Sequence, residues 1–442
     1  MTTELLELPM PNQVFQRAKS GTACIPIRAE RPVRARIVQG RKAITPWQTT
    51  REGIRRVPVG GPYTLEVDVG ASKLQRVAGL LVGDLWVLAG QSNMDGCGKL
   101  VNLEPPSPLV HCYYYTEQWG IAKDPICRLV DSIDPVHWPS GVDDLDAARA
   151  NDRKYREIGA SLGVRFGKRI VKATGVPVGL IVCSHGGTSI EQWDPGRRDE
   201  GGRSLYGSMV RRVRACGGRV AGMLWYQGES NANPQTSSAY KERMRAFIEA
   251  VRRDFSTPAL PFLQVQLARF FGDANSLPPD HWNRIQQVQL DLTMEMKQVG
   301  LVAAIDSALD DIIHINTPSL KRLGDRLAEL ALVMVYGAKG PGSLAPAHVD
   351  FVDTCRTRLR IRYKNVRGRL SPAQDVRGFF VEDPQGNRIA LSSARARGNA
   401  VLIELERAAE PGSRLWYGRG LNPATNLRDA TFAAPVFGPV RL

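Results

Sequence analysis

Leu85-Trp-Val-Leu-Ala-Gly90-Gln-Ser92-Asn-Met94 is the stretch from which we predict the fold. Its first five residues are apolar without a helical period, the pattern of a strand buried on both faces. Gly90 ends the strand, and Ser92 follows. A serine at the carboxyl end of a buried parallel strand lies at the rim of the sheet, where such folds bind ligands. The alternative is a polar turn that caps the next helix.

The chain from residue 82 to about residue 337 continues this rhythm. Apolar strands are predicted at residues 85–89, 178–183, 220–226, 262–267 and 300–305, and helices at 155–173, 208–216, 239–255, 282–296 and 318–336. Strands and helices in alternation predict an α/β fold with a doubly wound, mainly parallel sheet and helices on both faces.

The two ends of the chain have a shorter, alternating pattern that is typical of antiparallel strands. We predict a β domain at residues 1–80, a catalytic α/β domain at 81–340 and a β-sandwich-like domain at 341–442. The strands expected in the terminal regions are 33–38, 63–69, 359–363, 379–381 paired with 388–391, 401–405 and 415–418. An insert at residues 101–150, rich in Pro, Asp and aromatic residues, is predicted to be irregular; it either walls a cleft or packs on itself.

Bulk properties exclude several classes of protein. In 442 residues, 43% are hydrophobic and 23% charged, and no apolar run approaches the ~18 residues that span a bilayer. The first nine residues lack the pattern of a secretory signal, so a cytoplasmic location is the default unless a leader was trimmed. The net charge of +15 comes from dispersed arginine, and the densest group, Arg211, Arg212, Arg214 and Arg219, has helical spacing. We therefore expect neither a nucleic-acid partner nor a membrane.

The cysteines and histidines indicate no cofactor. Seven cysteines form no CxxC pair, and their odd number does not suggest a disulfide framework. No HExxH motif or clustered Cys/His spacing is present, so we expect no metal site.

Ester hydrolysis by a serine needs a base, a group that orients the base, and donors for the oxyanion. Among six histidines, His314 follows the last predicted strand and precedes the helix near Pro318. Asp311 stands three residues earlier and can orient the imidazole, with Asp310 as a rival. The alternative is a helix cap beside a surface histidine.

Two further strands end in polar, glycine-rich turns. They are Cys183-Ser-His-Gly-Gly-Thr-Ser189 and Trp225-Tyr-Gln-Gly-Glu-Ser-Asn231. Glycine lets backbone N–H groups approach a ligand, and the amides of Gln227 and Asn231 can donate to an oxyanion. Four strand ends are therefore expected to meet at one polar site.

These strings resemble the sialate O-acetylesterase family of the SGNH (GDSL-like) hydrolases. The likeness rests on Gly90-Gln-Ser-Asn-Met94, Gly186-Gly-Thr-Ser-Ile-Glu-Gln-Trp193, Trp225-Tyr-Gln-Gly-Glu-Ser-Asn-Ala232 and the Asp311/His314 pair. Residues 1–80, and Leu415-Trp-Tyr-Gly418 with Pro435 and Phe437, are similar to the flanking β domains of that family.

The resemblance implies a metal-free triad with Ser92 as nucleophile, His314 as general base and Asp311 as its orienter. It also implies an oxyanion hole from the Ser92 N–H, a glycine N–H of the Gly186/Gly187 turn, and an amide of Gln227 or Asn231. Glu229 is then a structural or substrate-orienting acid.

Two positions depart from the family pattern. The family usually has a proline directly after the histidine, whereas residues 315–317 intervene here before Pro318. Ser189 stands where proline is common. Neither change removes a catalytic atom, but the choice between Asp310 and Asp311 stays open.

The expected function is that of a serine esterase that removes acetyl groups from carbohydrate hydroxyls through an acyl-enzyme, with 9-O-acetylated sialic acid as the substrate that the resemblance implies. One alternative is an acetylxylan or general sugar acetylesterase. The others are a carbohydrate-binding protein with an idle site, and a nucleic-acid-binding protein, which would show steep salt dependence.

Overall fold

The structure is a computed structural model that describes residues 6–70, 74–272 and 278–442. Residues 1–5, part of the stretch interpreted as lacking a signal, lie outside the described residues. Within the described ranges, no helix combines the length and the apolar character needed to cross a membrane.

The N-terminal region is built from short, mainly antiparallel strands with an apolar core of their own. Strand pairs β5/β9 and β3/β8 are antiparallel, and the strands predicted at 33–38 and 63–69 are confirmed as β5 and β9. The strands are β1 (Leu6–Glu7), β2 (Val14–Gln16), β3 (Thr22–Pro26), β4 (Arg28–Ala29), β5 (Val33–Gln39), β6 (Lys42–Ala43), β7 (Gln48–Thr50), β8 (Gly53–Pro58) and β9 (Gly60–Asp68).

The central sheet has the order β13-β12-β15-β10-β16-β17-β18, in which every pair is parallel except β12 with β13. The strands of the central region are β10 (Leu74–Gly90), β11 (Gly98–Lys99), β12 (Val110–Tyr113), β13 (Trp119–Ile121), β14 (Ile158–Ala160), β15 (Val178–Val182), β16 (Gly222–Tyr226), β17 (Phe262–Gln266) and β18 (Val299–Ala303). From β10 the chain moves to β12 and β15 on one side and then to β16 on the other. Such a switch opens a crevice at the carboxyl ends of the strands, and Ser92 lies there.

Helices cover both faces of this sheet. Trp86 on β10 packs against Phe166, and Trp225 on β16 packs against Phe247, with ring centroids 4.9 and 4.6 Å apart. Trp86 pairs with Gly222, three residues before Trp225, so the two tryptophans point to opposite faces. The helices are α1 (Ser92–Asp95), α2 (Leu145–Tyr155), α3 (Gly163–Thr174), α4 (Leu205–Ala215), α5 (Tyr240–Asp254), α6 (Pro279–Glu295) and α7 (Thr317–Met334), and 3₁₀ turns occur at Leu129–Asp131, Pro135–His137, Ile190–Trp193, Pro195–Arg203 and Glu229–Asn231.

Strand β10 links the N-terminal and central sheets. Its first half pairs with β9, and its second half lies between β15 and β16. The boundary predicted at residue 80 falls inside this continuous strand, and the division at residues 80 and 340 stays a proposal.

Two predictions for the central region are wrong. The insert at 101–150 is not wholly irregular, because β12 and β13 extend the central sheet and α2 follows. Strand β12 is only four residues long and contains His111, so its sequence did not indicate a buried strand. The helix expected from residue 155 begins at Gly163, since β14 precedes it and pairs with β11.

The C-terminal region, described without gaps from residue 341, forms two four-stranded antiparallel sheets, β19-β20-β24-β23 and β22-β21-β25-β26. The predicted pairing of 379–381 with 388–391 is confirmed by Val381 opposite Ile389. The buried Gln266 side chain at the end of β17 exchanges two hydrogen bonds with the backbone of Val436, which ties this region to the central sheet. The strands are β19 (Ala345–Phe351), β20 (Arg358–Lys364), β21 (Phe379–Glu382), β22 (Arg388–Ile389), β23 (Leu391–Arg397), β24 (Ala400–Leu405), β25 (Arg414–Tyr417) and β26 (Phe437–Arg441).

Candidate active site

Ser92 is the first residue of α1, immediately beyond the carboxyl end of β10. Gly90 has a φ of 134°, and a Cβ at this position would overlap the carbonyl oxygen of Tyr226 on the neighbouring strand. Only glycine lets β10 and β16 approach this closely. The Gln91 N–H donates to the same carbonyl at 2.8 Å, so the two strand ends are joined just before the serine.

The side chains of Ser92, His314 and Asp311 form a hydrogen-bonded line. Nε2 of His314 lies 3.0 Å from Oγ of Ser92, and its Nδ1 lies 2.7 Å from Oδ2 of Asp311. Asp310 faces away, because its Oδ2 accepts from the backbone N–H of Lys99 at 3.0 Å. Of the two rival carboxylates, Asp311 is the one that contacts the imidazole.

Asp311 is held by backbone donors rather than by burial. Its side chain is 52% exposed, and its Oδ1 accepts from the N–H groups of Ile313 and His314 at 2.8 and 2.7 Å. Partial burial opposes ionisation, but these two bonds and the one from the imidazole lower the pKa of Asp311 below its ordinary value. The carboxylate therefore stays charged beside the imidazole.

Asn93, whose role was not predicted from the sequence, bonds the residues on both sides of His314. Its Oδ1 accepts from the N–H of Ile315 at 3.0 Å, and its Nδ2 donates to the carbonyl of Ile313 at 3.3 Å. Both neighbours of His314 are thus fixed to the residue that follows Ser92. The available signal was position alone, since Asn93 lies inside the Gly90–Met94 string.

Glu229 supports Asn93 and forms no hydrogen bond with Ser92 or His314. Its Oε1 accepts from Nδ2 of Asn93 at 2.9 Å, whereas its Oε2 has no hydrogen-bond partner among the described residues. Burial raises the pKa of Glu229.

The turn after β15 passes beside Ser92 at Gly186. A Cβ on Gly186 would lie 3.6 Å from Cβ of Ser92, so this glycine packs against the serine. Gly187 is exposed with a φ of 71°. Within the described chain, the N–H groups of Gly187 and Ser92 have no acceptor. These two groups are free to donate to a ligand.

Gln227, one of the two amides considered for the oxyanion hole, donates within the protein in this structure. Its Nε2 donates to Oδ1 of Asn231 at 2.7 Å and to the carbonyl of Thr188 at 3.2 Å, which uses both amide protons. Asn231 is fully buried; it donates to Glu191 at 2.8 Å and accepts from the N–H of Ile190 at 2.8 Å. The two amides hold the turn after β15 in place from inside the protein.

Asp95, at the end of α1, is an acid that was not predicted from the sequence to belong to the site. Burial raises its pKa to about 7, although hydrogen bonds from Ser184 and the backbone of Gly186 oppose the shift.

In the described ranges, no group of three or more His, Cys, Asp or Glu side chains is arranged to hold a metal ion.

With this geometry established, comparison with known proteins identifies the family. A family model for carbohydrate esterases, the sialic acid-specific acetylesterases, matches residues 82–333, more than half of the chain. The chain belongs to this family. The resemblance inferred from the sequence is confirmed, and membership supports hydrolysis of acetyl esters on sugars.

Curated relatives of this chain are moderately similar. A probable carbohydrate esterase of Arabidopsis thaliana is 28% identical over 265 residues, which cover 56% of this chain and 90% of the relative. The sialate O-acetylesterase of Homo sapiens is 26% identical over 243 residues, which cover 48% of this chain but only 43% of the human enzyme.

One solved structure matches nearly the whole chain. A carbohydrate acetylesterase from Xanthomonas citri superposes with a TM-score of 0.70 at 24% identity, and the match covers 98% of this chain and 99% of that one. At this identity the likeness establishes the fold, including the β-rich regions at both ends.

Both departures of this chain from the family pattern have a local explanation. The N–H of Ile315 is the partner of Asn93, and Asn316 caps α7 by accepting from the Ser319 N–H at 3.0 Å. Ser189 caps the 3₁₀ turn that follows it, in a capping box with Gln192.

Proposed function

We propose that this chain is a serine esterase that removes O-acetyl groups from carbohydrate through an acetyl-enzyme, with 9-O-acetylated sialic acid as its first-choice substrate. The observation that carries the proposal is the line from Asp311 through His314 to Ser92. We also propose that residues 81–340 form the catalytic unit, flanked by the two β-rich regions.

The first half-reaction acylates the serine. As Oγ of Ser92 attacks the acetyl carbonyl carbon, Nε2 of His314 takes its proton. Negative charge on the carbonyl oxygen is stabilised by the N–H groups of Ser92 and Gly187. The tetrahedral intermediate then collapses, and His314 returns the proton to the departing sugar oxygen.

The second half-reaction repeats these steps with water. His314 takes a proton from the water as its oxygen attacks the acetyl-serine, and then returns that proton to Ser92 as acetate leaves. Asp311 keeps its charge throughout, which orients the imidazole and stabilises the imidazolium. Asn93 and Glu229 hold the loop that carries the base.

An acetylated neutral sugar, such as acetylated xylan, is the second candidate substrate. Carboxyl groups lie close to the triad: Asp311 bonds His314, Glu229 bonds Asn93, and Asp95 ends the helix that begins at Ser92. Asp311 keeps its charge, so a substrate that carries its own carboxylate is repelled by it unless a cation of the protein offsets the repulsion. This observation favours a neutral sugar.

The test is acetate release by the wild type and by Ser92→Ala, measured on a 9-O-acetylated sialoside, acetylated xylan and an aryl acetate. Ser392→Ala, in the remote strand β23, is the matched control. We expect acetate release that depends on Ser92 and not on Ser392. The acetyl ester that is hydrolysed fastest identifies the substrate class. No release from any donor by folded wild type, or release that survives in Ser92→Ala, would contradict the proposal.

A further inference from the structure

His185, the residue before Gly186, ends a buried chain of hydrogen bonds that plays no part in the triad. Its Nδ1 lies 3.1 Å from Nδ1 of His137, and the two rings are stacked with centroids 5.2 Å apart. His137 is 1% exposed, and its Nε2 lies 3.1 Å from Oγ of Ser208. The Ser208 hydroxyl contacts Asp134 at 2.6 Å.

Asp134, at the far end of this series of hydrogen bonds, determines which atom carries the proton in each bond. Asp134 is ion-paired with Arg211 at 2.7 Å, and a carboxylate can only accept. The Ser208 hydroxyl therefore donates to Asp134. Its oxygen is left to accept from His137, which places a proton on Nε2 of that imidazole.

His137 carries no second proton. Burial, with further repulsion from His185, Arg212 and Arg211, holds the pKa of His137 well below its ordinary value. Its Nδ1 is therefore a bare acceptor, and the bond between the two rings requires the proton on Nδ1 of His185. Burial also lowers the pKa of His185, so its neutral form has a bare Nε2.

The bare nitrogen belongs to a residue at the rim of the site. The N–H of His185 donates to the carbonyl of Gly90 at 2.9 Å, and the next residue, Gly186, packs against Ser92. His185 is a partly exposed residue, and no residue in the described part of the chain bonds its Nε2. A rigid, oriented acceptor without a partner is suited to a hydroxyl donor from outside the protein.

We propose that His185 is a substrate-recognition residue whose Nε2 accepts a hydrogen bond from a free hydroxyl of the sugar next to the acetylated position, and that Asp134, Ser208 and His137 hold it in the accepting tautomer. This proposal rests on the proposed function and adds the substrate feature that the site recognises, a free hydroxyl next to the acetylated position. A sugar whose neighbouring hydroxyl is missing or itself acetylated is disfavoured.

The first experiment compares two methyl glycosides with one acetyl group each, one with a free neighbouring hydroxyl and one with hydrogen in its place. We expect wild type to prefer the hydroxylated donor by about 10-fold or more in kcat/KM, and His185→Leu to lose this preference. Hydrolysis of an aryl acetate, which lacks the hydroxyl, should stay within about threefold. A preference that persists in His185→Leu, or an equal loss on the aryl acetate, would overturn the proposal.

The second experiment reads the tautomer directly. In protein labelled with ¹⁵N-histidine, the imidazole nitrogen shifts at neutral pH should place the His185 proton on Nδ1 and leave Nε2 bare. Ser208→Ala frees His137 to exchange tautomers and should shift part of the His185 population to the Nε2–H form. A wild-type His185 protonated on Nε2 would overturn the proposal.

Failure of the proposed function is distinguishable from failure of this inference. If folded wild type hydrolyses none of the acetyl esters, the proposed function fails. Calorimetric binding of the same two glycosides to wild type and His185→Leu then decides the inference. Stronger binding of the hydroxylated sugar, only in wild type, supports it, and equal binding contradicts it.

Discussion

Nε2 of His314 lies 3.0 Å from Oγ of Ser92, although 222 residues separate them in the chain. The serine follows β10 and the histidine follows β18, two strands that are not neighbours in the sheet. The contact therefore depends on the loop after β18 reaching back along the rim. Asn93 holds that loop on both sides of the histidine.

The two adjacent aspartates should differ in their effect on catalysis. Asp311→Asn removes the charge that orients and stabilises the imidazolium, and we expect kcat to fall on the order of 10² or more. Asp310→Asn, the matched control, changes a carboxylate whose one hydrogen bond among the described residues comes from the Lys99 N–H, and it should leave kcat within about threefold. Steady-state kinetics of both variants check this prediction. Equal losses, or a larger loss in Asp310→Asn, would contradict it.

Asn93 should act on turnover through the position of His314. Asn93→Ala removes the bonds to the Ile313 carbonyl and the Ile315 N–H, so we expect kcat to fall about 10-fold or more with little change in KM. Stability should also fall by about 1–3 kcal/mol, because buried polar groups lose their partners.

The matched control for Asn93 is Asn233→Ala. Asn233 also makes three hydrogen bonds, to the backbone of Ser230, Gln235 and Thr236, but none to the His314 loop. It should lose stability and keep kcat. If both variants lost turnover alike, the positioning role of Asn93 would be wrong.

Asp95 should make stability depend on pH. Its pKa rises from an ordinary 3.8 to about 7 in the folded protein. Between these values the unfolded chain releases a proton that the native state keeps, so stability falls as pH rises, by on the order of 4 kcal/mol in total. Above pH 7 the cost is complete.

Asp95→Asn removes that part of the pH dependence. Denaturant unfolding at pH 5 and pH 8 should show a smaller loss of stability between the two pH values in the variant than in wild type. Asp124, whose pKa burial raises to about 6, contributes its own slope to both proteins, so the difference between them isolates Asp95. Parallel behaviour of the two proteins would refute the assignment.

Gly90 should tolerate no side chain. A Cβ would overlap the carbonyl of Tyr226, and its φ of 134° is unfavourable for other residues. We expect Gly90→Ala to lose about 3 kcal/mol or more, or to fail to fold. Gly187→Ala, with open space around its Cβ and a φ of 71°, should cost only about 1–2 kcal/mol. Soluble yield and unfolding midpoints compare the two variants.

The sequence predicted the parts of this protein that depend on apolar runs and on strand ends. The strands that end before Ser92 or begin near residues 178, 220, 262 and 300 consist mainly of buried apolar residues, so the local sequence was enough to predict them. His314 was found because histidines are few and because a loop after the last strand lies at the same rim.

Other features depend on contacts between distant residues and left no local signal. Strand β12 is stabilised by pairing with β15 rather than by its own composition. Gln227 and Asn231 were both considered as oxyanion donors from their residue type, but Asn231 and Thr188 accept both amide protons of Gln227 in the folded chain. The bonds of Asn93 span 136 and more residues, so its role required the folded chain.

The measurement that tests the central claim most directly is covalent labelling of the nucleophile. Wild type treated with a serine-reactive phosphonate ester, digested and analysed by mass spectrometry, should carry one adduct on the peptide that contains Ser92, with loss of esterase activity in proportion to labelling. Ser92→Ala should carry none and should lose about 10³-fold or more in kcat while unfolding at the same temperature as wild type. An adduct on another residue that accounts for the lost activity, or full activity in Ser92→Ala, would contradict the account.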